Sequence, residues 1–596
     1  MNITQDGGRV SGAGGQPEGV KEERTKRQMK RKTTQDKQGA LSAFSPVRLF
    51  PSFPQLSGPR PLTPGPHLCI IAPVIAAEVT VSFPRSSGVL LHPTSLPGRF
   101  GIGDLGKEAY RFADFLINSD QSLWQVLPLG PTGFGDSPYQ CFSSFASNPL
   151  LISPELLVED GLLVEDDIKG APRFAAEAVD FGRVIDYKSA LLARAFENFR
   201  RSKQKSLRAD FITFTTKATG WLEDYALFRA LKDAHGGGGW NQWQPELARR
   251  EAHALAAARA RLRDEIEAQK FYQFLFDRQW SALKRYCNQN AIKIVGDIPI
   301  FVAYDSADVW ANPDLFKLGG DGSPRVVAGV PPDYFSKTGQ LWGNPIYNWA
   351  RHHETGYEWW KDRLRATLST VDIVRIDHFR GFAAAWEVPA GDTTAERGHW
   401  VEVPGRELFT LLRQDLGEMP IIAEDLGVIT PDVQALRDGF GFPGMRILQF
   451  GFRNITNTDL PHNYVHNTVV YTGTHDNDTA VGWFNSHAGR GSTRTAQQIA
   501  REKKFCREYL NTDGREINWD FIRAAQASVA DMAVTPAQDL LGLGSEARMN
   551  LPASTSGNWR WRMKPGALTK AIGKRLRGLT EVYLRGRNQP KHTTTD

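Results

Sequence analysis

The stretch Thr370-Val371-Asp372-Ile373-Val374-Arg375-Ile376-Asp377-His378-Phe379-Arg380-Gly381 sets the plan of the chain. Its front half is short, β-branched and apolar and ends in charge and glycine, which predicts a buried β-strand. Side chains alternate along a strand, so Arg375 and Asp377, two residues apart, point the same way. A neighbouring positive charge favours the ionised form of a carboxylate. An ionised aspartate at the C-terminal end of a buried strand suits a covalent or an electrostatic catalyst. A buried structural ion pair would use the same two residues.

Two more stretches repeat the plan. Met419-Pro420-Ile421-Ile422-Ala423-Glu424-Asp425-Leu426-Gly427 runs from apolar residues to paired acids and glycine. Thr468-Val469-Val470-Tyr471-Thr472-Gly473-Thr474-His475-Asp476-Asn477-Asp478-Thr479 does so again. One strand ending in an acid can be structural. Three in one half of a chain predict a barrel whose upper rim is lined with carboxylates.

Tracing outward from these strands gives the remainder. Gly88-Val89-Leu90-Leu91-His92-Pro93, residues 122–129 and residues 292–300 read as strands before Asp377, the last carrying Asp297. Residues 445–450 and 532–536 read as strands after Glu424. That makes eight strands with helices between most pairs, so the expected fold is α/β, a (β/α)8 barrel spanning 85–590. Residues 150–265 break the rhythm and are expected to form a mostly helical insertion, with helices over 210–231 and 246–270. Residues 305–349 are aromatic and turn-rich, and are expected to form a long ordered lid or binding loop.

The 596-residue chain has a formal net charge of +6, but residues 1–84 hold 11 Lys or Arg and 6 Asp or Glu, leaving about +1 for the rest. The basic charge therefore does not argue for a nucleic-acid-binding body. Residues 1–84 are rich in Gly, Pro, Ser, Gln and charge without periodicity, and are expected to be a disordered basic leader, either a transit peptide or a spurious extension. Asp6, Glu18, Glu22 and Glu23 weigh against a transit peptide. The apolar run at 69–77 is too short to span a bilayer, so no membrane association is expected. The four cysteines are scattered without a CxxC, which predicts neither disulfides nor a metal site.

Retaining glycoside chemistry needs a carboxylate nucleophile and a nearby carboxylic acid with a raised pKa. Asp377, beside its arginine, suits the first role. Glu424, longer and on the next acidic strand, suits the second. Asp476 can stabilise positive charge at the reacting carbon, with Arg375 and His475 orienting.

From Ser87 to Arg587 the chain resembles the 4-α-glucanotransferases, the amylomaltase or disproportionating-enzyme family of the α-amylase clan. The resemblance is carried by Leu91-His92-Pro93-Thr94-Ser95-Leu96, Gly135-Asp136-Ser137-Pro138-Tyr139, Gly296-Asp297-Ile298-Pro299, Gly329-Val330-Pro331-Pro332-Asp333, Gly339-Gln340-Leu341-Trp342-Gly343, the three acidic stretches above and Ala547-Arg548-Met549-Asn550. It implies that Asp377 is the nucleophile, Glu424 the acid/base and Asp476 the transition-state stabiliser. It places Tyr139, Asp297, Arg375 and His475 around the reacting sugar, Gln340 and Trp342 on an acceptor-side loop, and Asn550 as a further contact. Ser137 and Asp425, in the same motifs, join the substrate contacts. It implies no metal and no cofactor. Donors would be α-1,4-glucans or maltooligosaccharides, and acceptors glucose or maltooligosaccharides. A lid of Tyr334, Phe335, Leu341 and Trp342 would favour transfer over hydrolysis by excluding water.

Two alternatives share much of this pattern: a retaining hydrolase of the same clan, with the same three acids, and a non-catalytic glucan-binding protein, which would not need them. The expected location is cytoplasmic, or plastid if the leader is cleaved.

Overall fold

The structure is a computed structural model that describes residues 83–332, 336–489, 494–552, 554 and 556–587. Of the leader expected over 1–84, residues 1–82 lie outside the described residues, as do the lid residues Tyr334 and Phe335. Twelve strands occur among those described: β1 (Ser86–Leu90), β2 (Leu123–Gln125), β3 (Lys293–Pro299), β4 (Val326–Val330), β5 (Gln340–Pro345), β6 (Ile373–Asp377), β7 (Ala384–Pro389), β8 (His399–Glu402), β9 (Ile421–Ala423), β10 (Gly444–Ile447), β11 (Thr468–Tyr471) and β12 (Met532–Pro536).

Eight of them form one parallel sheet in the order β10-β11-β12-β1-β2-β3-β6-β9. The amide of Ala423 donates to Pro443 O at 2.9 Å, bringing β9 to the segment leading into β10 and nearly closing the sheet into a barrel. These are the eight strands expected from the apolar runs. Their residues are mostly apolar because a barrel strand is covered on both faces, by the barrel interior and by helices. Accordingly β1, β11 and β12 are buried throughout. Gly88 is required where β1 meets β2, since a Cβ there would lie 2.3 Å from Leu123 O.

The outer helices include Lys107–Asn118, Glu358–Thr370, Gly405–Leu416, Pro431–Gly439 and Ile517–Ala527, whereas the short helices Leu448–Gly451 and Pro461–Asn463 follow β10. Between β2 and β3 the chain forms the helices Phe181–Arg201, Lys205–Lys217, Thr219–Ala234, Ala252–Arg261 and Arg263–Gln289. The last is one 27-residue helix across the stretch where an insertion was expected to end. Phe199 stacks on Phe271 at 4.5 Å, and Phe211 lies edge-on to Phe274 at 5.6 Å. Burying each such ring contributes roughly 2 kcal/mol, more than local propensity supplies. Lys188, buried on the first of these helices, donates to Leu150 O at 2.7 Å and Ile152 O at 2.8 Å and lies 3.7 Å from Asp104. Burial pushes its pKa down to about 8.

The region 305–349 departs from the expected loop. β4 and β5 join β7 and β8 in an antiparallel sheet of order β5-β4-β7-β8. Val327 of β4 pairs with Val388 of β7, far away in sequence, and Gly329 pairs with both Leu341 and Trp386. Gly and Pro punctuation disguises these strands locally, and their hydrogen bonds are satisfied by distant partners. Gln340 and Trp342 therefore stand on a strand. Among the described residues no helix is long and apolar enough to cross a membrane.

Candidate active site

Asp297 of β3 is in register with Arg375 of β6, and Pro299 with Asp377. Arg375 and Asp377 share a face, as their spacing requires, and Arg375 Nη2 donates to Asp377 Oδ1 at 2.9 Å. The same guanidinium directs Nη1 to both carboxylate oxygens of Asp297 at 2.8 and 2.7 Å, while Nε faces Met445 Sδ at 3.3 Å. Burial pushes Asp297 up to about 6, with Arg375 pulling the other way. Tyr139 OH donates to Asp297 Oδ2 at 2.9 Å. Burial, reinforced by Asp297, raises the phenol's pKa well above its ordinary value, so it remains a donor.

The rings of Tyr139 and His475 stack 5.0 Å apart, with Tyr139 OH 3.4 Å from His475 Nδ1. The other nitrogen of His475 lies 3.4 Å from Asp476 Oδ1. Asp476 also accepts from Asn550 Nδ2 at 2.7 Å on its side chain and from Arg548 Nη2 at 2.6 Å on its carbonyl. One chain of polar contacts thus runs from Asp377 through Arg375, Asp297, Tyr139 and His475 to Asp476, its last link the 3.4 Å approach of His475 to Asp476.

Glu424 follows β9 directly. Its Oε2 accepts from the amide of His378 at 2.7 Å and its Oε1 from the amide of Leu426 at 2.9 Å. The chain can present the His378 amide because His378 turns into the left-handed region, at φ 54° and ψ 50°, immediately after Asp377. Such a turn is unusual away from glycine and is found at functional sites. Burial and then the charge of Asp377 push Glu424 up to about 8, while Arg375 and the two amides oppose the shift. Burial also pushes His378 down to about 4, leaving a neutral ring.

A groove opens beside these groups, and Ser137, Tyr139, Gln340, Trp342, Asp377, His475, Asp476 and Asn550 line it, whereas Glu424 is not among its lining residues. Ser137 Oγ accepts from the Tyr139 amide at 3.2 Å, fixing that turn. Trp342 donates to Gln340 Oε1 at 3.2 Å and meets His378 edge-on at 4.7 Å. Asp297 and Arg375 lie buried beneath the groove. Asp425 is not among the groove-lining residues. Its buried carboxylate pairs with Arg437 and accepts from the Met445 amide at 2.6 Å, tying β9 to β10. Sequence reasoning left His378, Arg548 and Trp559 without roles. His378 and Arg548 lie inside the motifs named above, but nothing in the sequence marks the backbone turn or the carbonyl contact that engages them.

A (β/α)8 barrel with a proton-holding carboxyl group beside an arginine-bound carboxylate that lines a groove defines a carbohydrate-active barrel enzyme. The family model for 4-α-glucanotransferases matches residues 91–569. The 4-α-glucanotransferase of Synechocystis is 51% identical over 503 residues, covering 84% of this chain and 98% of its own. That of Thermus thermophilus is 50% identical over 511 residues, covering 84% and 99%. The structure of the Streptococcus agalactiae amylomaltase in complex with acarbose superposes with a TM-score of 0.80 at 42% identity, covering 84% of this chain and all of that one. The chain belongs to the 4-α-glucanotransferase family.

Proposed function

We propose that the chain transfers an α-1,4-glucan segment from a maltooligosaccharide or a starch- or glycogen-type donor to the 4-hydroxyl of glucose or another maltooligosaccharide. The observation that carries this reading is the contrast between two neighbouring carboxyl groups. Glu424 holds its proton up to about pH 8, whereas Asp377 is bound by a buried guanidinium. In the first step the Asp377 carboxylate bonds to the anomeric carbon, the glycosidic C–O bond breaks, and Glu424 protonates the departing oxygen. Forming that ester removes the negative charge that helped raise the pKa of Glu424. Its proton affinity falls, and it can accept the proton of the incoming 4-hydroxyl while the ester bond breaks. Asp476, steadied by Asn550 and His475, faces the positive charge that develops at the sugar.

The test is a chromatographic product profile from pure maltotriose for the wild type and Asp377→Asn. Glucose plus a ladder of longer oligosaccharides, reduced at least ~10³-fold in the variant, is the expected result. Glucose and maltose with nothing longer would make the protein a hydrolase, and no turnover by the wild type would make it a binding protein. The proposed compartment is the cytoplasm. A mature protein that begins near residue 85 would place it in a plastid instead.

A further inference from the structure

Trp559 has a backbone conformation that large side chains rarely adopt, with φ at +64°. It is buried and forms part of the groove wall. Its ring lies 5.7 Å from Tyr139 and 5.8 Å from His475, whose own rings are 5.0 Å apart. The three rings form a closed triangle in which each fixes the tilt of the other two. The polar atoms of Tyr139 and His475 are the links between Asp297 and Asp476.

The backbone explains how the ring is held. The amide of Trp559 donates to Met549 O at 2.7 Å, closing the base of the loop between them. Asn558 Oδ1 accepts from the Leu551 amide at 3.0 Å inside that loop. One end of the loop carries Asn550 onto Asp476, and the other carries Trp559 onto Tyr139 and His475. Just beyond, Arg560 O accepts from the Val179 amide at 2.7 Å, and the Arg562 amide donates to Glu177 O at 2.9 Å. The left-handed turn is where the loop reverses into this pinned segment.

We infer that Trp559 is a positioning residue for the transfer reaction, setting the angles of Tyr139 and His475 and, through them, the hold on Asp297 and Asp476. It acts through those side chains and exchanges no proton. The inference rests on the proposed function, whose own failure would show as a wild type that makes no oligosaccharide ladder. Trp559→Leu and Trp559→Gly both remove the ring, and glycine also suits the positive φ, so the second variant keeps the turn if the first destabilises it.

Each variant and Trp559→Phe would be assayed by steady-state maltotriose disproportionation, with thermal unfolding alongside. In both ring-deleted variants kcat should fall roughly tenfold to a hundredfold, KM should stay within about twofold, and the share of hydrolysis should not change. Phe should restore most of kcat. The inference is overturned if kcat survives ring loss, if the loss lies in KM, if Phe does not rescue, or if both ring-deleted variants lose activity only in step with unfolding.

Discussion

At the residue scale the proposed mechanism turns on Glu424, whose proton would decide the first chemical step. Burial and Asp377 hold that proton up to about pH 8, so kcat/KM should fall as pH rises through that value. Stability should respond in the same direction. An unfolded chain releases this proton near 4.5 and the folded one near 8, so between those values the folded state binds the extra proton and stability declines as pH rises. Glu424→Gln cannot titrate. Its unfolding midpoint should drop less between pH 5 and pH 8 than that of the wild type, and equal drops would remove Glu424 as the cause. Trp342 meets His378 edge-on on the groove wall, and in the proposed mechanism it would exclude water from the intermediate. Trp342→Ala should raise the ratio of free glucose equivalents to transfer products several-fold, and an unchanged ratio would reject that role. The three acids are legible in the sequence because each ends an apolar run. The amide of His378 on Glu424 is not, because it depends on a left-handed turn that histidine's side chain does not advertise.

At the element scale the barrel was readable and the small sheet was not. Each barrel strand is a short, mostly apolar run, a signal intrinsic to its own residues. β4 and β5 gain their partners from β7 and β8, so their order resides in pairings that no local window contains. Asp425 makes the same point. Its motif suggests a sugar ligand, yet its carboxylate joins β9 to β10 through Arg437 and the Met445 amide. Removing the carboxylate would leave the buried Met445 amide without its acceptor while Arg437 keeps Asp438, at a cost of about 1–3 kcal/mol. Asp425→Ala should therefore lower stability by about that amount in urea titration while leaving the KM of the folded enzyme close to wild type. A rise in KM without loss of stability would return Asp425 to the substrate.

At the scale of the whole molecule, the number of barrel strands followed from counting apolar runs, whereas the route by which the chain seals itself did not. β1 pairs in full register with β12. Arg85 and Arg585, at opposite ends of the folded chain, share the carbonyls of Gln526, Ser528 and Ala530, and Arg585 also reaches Ser86 O. No hydrophobic pattern encodes such carbonyl sharing. It occurs at the beginnings of the strands, away from the rim where Asp377 and Glu424 sit. The polypeptide is thus a ring in all but one covalent link, and the position of its break is a matter of gene order more than of mechanics. A circularly permuted chain, spliced from Arg587 to Phe83 through a short linker and reopened within Gly236-Gly237-Gly238-Gly239, should fold and retain wild-type turnover of maltotriose.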